Sequence, residues 1–211
     1  MAAKRTAFGV KFNVSQVEGL AQKLKELTPE QVGEFMVDAV NEVTDRTYLL
    51  ARKTMLAGIN LTDSYVQQKM QVERASTSKP AASIVAFGDK ANLTNLSHYG
   101  AMQVTKAGSG RGDKARGIPA GQSAAGLSVE VIKGKREQFQ FGFTLPGKND
   151  GEGNPLVLAR KRDTKKIVSR RGPAVYMLFR VASAKIEDRV YGDLQSAVVD
   201  EAERLLLQEL S

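Results

Sequence analysis

The chain of 211 residues contains no cysteine. That excludes disulfides, thiolate nucleophiles and zinc sites built on sulfur, and it suits assembly in a reducing cytoplasm. There is one histidine, His98, so any Ser-His-Asp arrangement would have to be built on it. Its neighbours, Asn95-Leu96-Ser97-His98-Tyr99-Gly100, form no nucleophile elbow of the G-x-S-x-G kind. No apolar run approaches the roughly 18–20 residues that cross a bilayer. The opening Met1-Ala2-Ala3-Lys4-Arg5-Thr6 is followed by no apolar stretch of signal-peptide length, so neither a signal peptide nor a membrane partner is expected. No P-loop is present, and Gly108-Ser109-Gly110-Arg111-Gly112-Asp113 lacks the preceding strand and following helix of a nucleotide cradle. The triplet Arg111-Gly112-Asp113 is of chance length in a stretch so rich in Gly and Arg. Carboxylates at Glu187-Asp188 and at Asp200, Glu201 and Glu203 have the look of solvated helix faces. The expectation is therefore a non-enzyme with no catalytic residue, no cofactor and no metal site.

What the chain does have is positive charge, unevenly placed. The formal net charge is +8. Residues 1–103 carry 12 Lys/Arg against 10 Asp/Glu, residues 104–171 carry 15 against 6, and residues 172–211 carry 4 against 7. The middle is thus +9 and the end −3. Such asymmetry points to a polyanion, to an acidic partner surface, or to a solvated face.

The periodicity changes along the chain. Val17, Leu20, Leu24 and Leu27 form one stripe of a short helix. Thr28-Pro29-Glu30-Gln31 then reads as a helix start, with Thr28 as N-cap and Gln31 placed for a capping box. Apolar residues at helical spacing run from Val32 to Met55, and Gly58 is the natural stop. About 28 residues at about 1.5 Å each predict a helix of about 42 Å. Thr62 caps a short helix through about Gln68, with Tyr65 and Val66 inward. Strands are predicted over 71–75 and 82–87 as a pair, over 127–132 and 139–145 as a hairpin turning at 133–136, and in shorter form at 156–160 and 167–168. Residues 105–126 and 146–155, rich in Gly and polar residues, are expected to be irregular loops, mobile in the free chain and ordered on assembly. At the end, Ala174–Phe179 is a dense apolar patch, and Tyr191, Leu194, Val198, Ala202 and Leu205 keep helical spacing. Leu205, Leu206 and Leu210 widen that stripe, which makes them candidate subunit-packing residues with ordinary core packing as the alternative. The order of helices, then strands, then a closing helix predicts one α+β domain over residues 1–211. Its long N-terminal helix and its C-terminal helix would pack on a mostly antiparallel sheet.

The densest local signal is Arg160-Lys161-Arg162-Asp163-Thr164-Lys165-Lys166 followed by Arg170-Arg171. These seven cations are the candidate interface or DNA-facing residues. Only Tyr176 and Phe179 lie near them in sequence as stacking groups, and no helix-turn-helix, RNA-recognition or zinc-finger pattern accompanies them. Nonspecific phosphate contact stays open, as does contact with an acidic face such as the C-terminal helix of an adjacent subunit.

Several short segments carry a resemblance. Leu61-Thr62-Asp63-Ser64-Tyr65-Val66-Gln67-Gln68-Lys69-Met70-Gln71-Val72 follows a long helix with a basic late segment, Arg46 to Met55. Leu96-Ser97-His98-Tyr99-Gly100-Ala101, then Phe141-Gly142-Phe143-Thr144-Leu145, then Arg171-Gly172-Pro173-Ala174-Val175 come after it in order. In these segments the chain resembles the minor tail protein Z family of long-tailed bacteriophages over about residues 30–205, with Ala174 where the family more often has Ser. The resemblance implies a structural virion protein that completes the head-proximal end of the tail for head-tail joining and is assembled in the host cytoplasm. It also implies a homo-oligomeric ring, sixfold by default, between a tail terminator or tube and a head connector, with nonspecific contact to DNA in the channel. The alternative is a nonspecific nucleic-acid-binding protein acting through the basic middle.

Overall fold

In the computed structural model, which describes residues 5–10, 28–87, 93–149, 153–161, 164 and 166–209, the helix predicted from Thr28-Pro29 is α1, Pro29–Gly58. Phe35, Ala39, Val43, Thr47, Ala51 and Met55, four residues apart, form its buried stripe, and Val40 widens it. Thr44 shares that face because its hydroxyl donates to Val40 O at 2.6 Å. At the helix end Lys133 Nζ donates to Leu56 O at 2.6 Å, a cation where the helix dipole is negative. The short helix α2 spans Asp63–Gln68, with Val66 buried and Thr62 Oγ1 accepting from Tyr65 N at 3.3 Å. The helix expected over Val17–Leu27 lies outside the described residues.

The chain divides into two compact units. A helical unit contains α1 as far as Met55, the segment 67–87, and the closing helix from Tyr176. Its sheet has β1, Arg5–Val10, β2, Met70–Glu73, and β3, Ala82–Phe87, in the antiparallel order β1-β3-β2. The β2–β3 pair is the predicted one, with Val72 opposite Ile84. Central β3 buries Ala82, Ile84, Val85 and Ala86. Asn41 of α1 donates to Ala75 O at 3.2 Å and accepts from Ala75 N at 2.8 Å, satisfying both backbone groups where the chain leaves β2. The closing helix is α3, Val175–Glu209. Its buried stripe in this unit is Phe179, Ala182, Ile186, Val190, Leu194 and Ala197. Tyr191, expected on that stripe, is instead 55% exposed; the stripe passes through Val190, one residue away, because the helix continues unbroken from Val175. The side chains of Leu205 and Leu206, and all of Leu210, lie outside what is described.

The other unit is built from residues 56–66 and the described residues from 93 to 175. Three small antiparallel sheets form it. One pairs β4, Leu93–Asn95, with β11, Arg171–Pro173. The second has the order β5-β6-β7, from Met102–Ala107, Gln122–Ile132 and Lys135–Phe139. The third has the order β8-β9-β10, from Gly142–Asn149, Pro155–Arg160 and Ile167–Ser169. The class is α+β, but the described strands fall into four sheets rather than one. The expected partner of 127–132 is also corrected: β6 pairs with Lys135–Phe139, Leu127 lying opposite Phe139. Gly134, at φ 77°, makes the turn tight enough for pairing to begin at Ile132 and Lys135. The Gly-rich stretch is paired as well. Thr105, Lys106 and Ala107 face Ala124, Ser123 and Gln122, and Gly108 N donates to Gly121 O at 3.0 Å. In the second expected loop, β8 runs to Asn149 and β9 begins at Pro155.

A 3₁₀ turn over Leu96–Tyr99 ties this sheet unit together. Tyr99 is fully buried, and its hydroxyl donates to Pro173 O at 2.5 Å. A Cβ on Gly172 would lie 2.5 Å from Tyr99 Cε2, so only glycine lets β11 close over the ring. Tyr99 O accepts from Asn60 Nδ2 at 3.4 Å, just past α1. Asn95 Nδ2 donates to Pro155 O at 3.1 Å, while its Oδ1 accepts from Val157 N at 3.4 Å. Gly172→Ala should lower stability by about 1–3 kcal/mol through overpacking, and Tyr99→Phe by about 1–3 kcal/mol by leaving Pro173 O without its donor. Burial pushes the Tyr99 phenol above its ordinary value of 10.0, so the unfolded chain loses this proton first. Stability should therefore be intact below pH 10.0 and fall as pH rises beyond it. Urea melts of parent and Tyr99→Phe at about pH 8 and about pH 11 should show a smaller loss in the variant; equal losses would contradict the assignment.

Candidate interaction surface

The basic run is divided by the fold. Arg160 and Ile167 are opposite one another in the β9–β10 hairpin, and Lys161 N donates to Lys166 O at 2.9 Å. Arg160, Lys161 and Lys166 therefore stand together at its turn end, all exposed. Arg162 and Lys165 lie outside the described residues. Arg170 and Arg171, also exposed, sit at the opposite end of β10: Arg170 N donates to Val157 O at 3.0 Å, and Arg171 lies opposite Asn95 in the β4–β11 ladder. Among the described residues no carboxylate forms an ion pair with Arg160, Lys161, Lys166 or Arg170.

Beside Arg160 is a cavity of ≈ 430 Å³ that the sequence alone did not disclose. Its wall is the start of β8, Gly142 to Leu145, with Ala124 and Gly126 of β6, and its rim carries Asp113, Arg116 and Phe141. Phe141 is 51% and Leu145 36% exposed, so the alternating apolar residues of this strand line an open groove. Among the described residues the outer edge of β8 has no strand neighbour in its sheet. Asp113 Oδ2 accepts from Arg116 Nε at 2.6 Å, and that hydrogen bond holds the Asp113 carboxyl below its usual range. Arg116 is thus matched within the groove, which leaves Arg160 as its available cation. The sequence signal for this site was the alternation Phe141-Phe143-Leu145. It did not reveal that Arg116, from the Gly-rich excursion, would line the same groove as Arg160.

His98 has a structural setting. Its ring stacks on Tyr65 with centroids 4.0 Å apart and planes at 30°, and Nε2 lies 3.4 Å from Asn154 Nδ2. The neighbouring hydroxyl, Ser97 Oγ, is buried without a hydrogen-bond partner, so the two do not form a nucleophile–base pair. Among the described residues no group of three or more His, Asp and Glu could hold a metal ion, and no helix is long and apolar enough to cross a membrane.

The exposed features described above are a cationic hairpin tip and an apolar groove on a small-sheet scaffold. The family model for Prophage minor tail protein Z (GPZ) matches residues 17–209. The chain belongs to this family and is a structural protein of a phage tail. Comparison with curated proteins found no match, and comparison with solved structures found none.

His98→Ala should cost about 0.5–1.5 kcal/mol through loss of the ring stack and leave tail assembly intact. Thermal melts and the yield of infectious particles measure the two effects. A folded variant that yields no functional tails would show that the imidazole does more than pack.

Proposed function

We propose that the protein completes the head-proximal end of the tail and makes the tail competent to join a DNA-filled head. It acts there as a closed ring of copies, sixfold by default, between the tail terminator or tube and the head connector, and it is assembled in the host cytoplasm. Family membership supports a place in the virion and contact with other virion components. The observation that carries the finer reading is the β9–β10 hairpin, whose exposed Arg160, Lys161 and Lys166 have no ion-pair partner among the described residues. Such a tip fits an acidic neighbour in a stacked assembly. It also supports a second reading, nonspecific contact with DNA in the channel, because unpaired surface cations are suited to phosphates.

Tails made without the protein should form and fail to join heads, and purified protein added back should restore joining. A gold-labelled chain should mark the head-proximal end in electron micrographs. Label at the distal tip, or joining that does not need the protein, would contradict the proposal. Lys161→Gln combined with Lys166→Gln separates the two roles of the hairpin. Particles that assemble and then leak DNA, more so at low salt, indicate phosphate contact; tails that fail to be completed indicate protein contact.

A further inference from the structure

We infer that the outer face of α3 docks, through Tyr191 and Asp188, into the Phe141–Leu145–Arg160 groove of a second copy, so that copies join head to tail. This rests on the ring proposed above and specifies its contact. The face of α3 opposite its buried stripe carries Val181, 54% exposed, and Tyr191, 55% exposed. Asp188, exposed and three residues before Tyr191, is adjacent to it on the same helix surface. The nearby Asp193 already has a partner in Arg189, at 3.8 Å. Among the described residues Asp188 makes no ion pair. A helix surface thus presents an aromatic ring and an uncommitted carboxylate side by side.

The groove has the complementary features. It is concave, ≈ 430 Å³ in volume, within the roughly 300–1,000 Å³ that accommodates a small ligand and ample for one phenol ring. Phe141 and Leu145 offer it apolar contact, and Arg160 offers a cation to the carboxylate. Tyr and Arg are the residue types that most often anchor protein interfaces, in desolvated pockets near the centre. The charge balance along the chain agrees: residues 104–171 are +9 and residues 172–211 are −3. Because knob and groove are different surfaces, the contact is heterologous, and a rotation that closes generates a ring.

The absence of cysteine from the chain makes the test free of background. Full-length protein with Phe141→Cys and Tyr191→Cys, oxidised in solution and in purified tails, should give a ladder of disulfide-linked oligomers, while each single variant gives none. Arg160→Glu alone and Asp188→Arg alone should weaken self-association about tenfold or more, and the two together should restore it. A disulfide within one chain, the absence of any disulfide, or self-association indifferent to both charge reversals would overturn the docking. If the parent still forms rings in that event, the ring reading stands and only this contact falls. If the parent forms no oligomer in solution or in tails, both fall.

Discussion

Tyr99 heads the fully buried side chains by size, and its phenol can be buried only if its hydroxyl finds an acceptor. That requirement organises the sheet unit. The acceptor is Pro173 O, Gly172 lies against the ring with no room for a side chain, and the backbone carbonyl is held by Asn60 at the exit of α1. Next to it His98 stacks on Tyr65 of α2, and Asn95 fastens the same turn to β9. Three of the segments that carry the family resemblance, around Tyr65, around Tyr99 and around Gly172, therefore meet at one place. In this chain each of them completes the packing or hydrogen bonding of another.

The parts of the fold legible in the sequence were those with long periodicity or a capping signal. Thirty residues of helical spacing after Thr28-Pro29 leave little room for another reading, and Thr62 set α2 in the same way. The β2–β3 pair was legible because two short apolar runs flank a turn-rich stretch, whereas β9 and β10 were read only as short strands and their pairing with one another came from the fold. Strands of three residues such as β4 and β11 are too brief to show a period, and what aligns them is Tyr99, a contact distant in sequence. The turn was read at Lys133-Gly134-Lys135-Arg136, and the polar residues Lys135-Arg136-Glu137-Gln138 gave no strand signal. In the fold they form an edge strand, where both faces can be polar because little covers them. Tyr191 was misplaced because Tyr and Val at neighbouring positions satisfy nearly the same helical spacing, and only the packing of Val190 decides the phase.

The candidate surfaces were legible to different degrees. The cations from Arg160 to Arg171 were conspicuous in composition, but their division between the two ends of β10 depends on hairpin register. The groove could not be inferred, since it needs Arg116 from a Gly-rich excursion, Gly126 from β6 and the start of β8 in one place. Glycine-rich polar stretches look structureless in a sequence because they bury little apolar surface; here backbone pairing orders much of one of them. A rigid scaffold of small sheets thus holds two surfaces of opposite function: a buried hub that fixes the unit, and an exposed rim that has cations and apolar side chains to spare. A tail protein requires both, since it must fold as a subunit and still offer unfinished surface to its neighbours.

The most direct measurement is a cryo-electron microscopy reconstruction of the head-proximal end of the tail in intact particles. The account predicts a ring of copies there, with the outer face of α3 of each copy seated at Phe141 and Arg160 of the next. Density for the chain elsewhere along the tail, or a ring whose copies meet through other faces while Phe141 and Tyr191 remain in solvent, would contradict it.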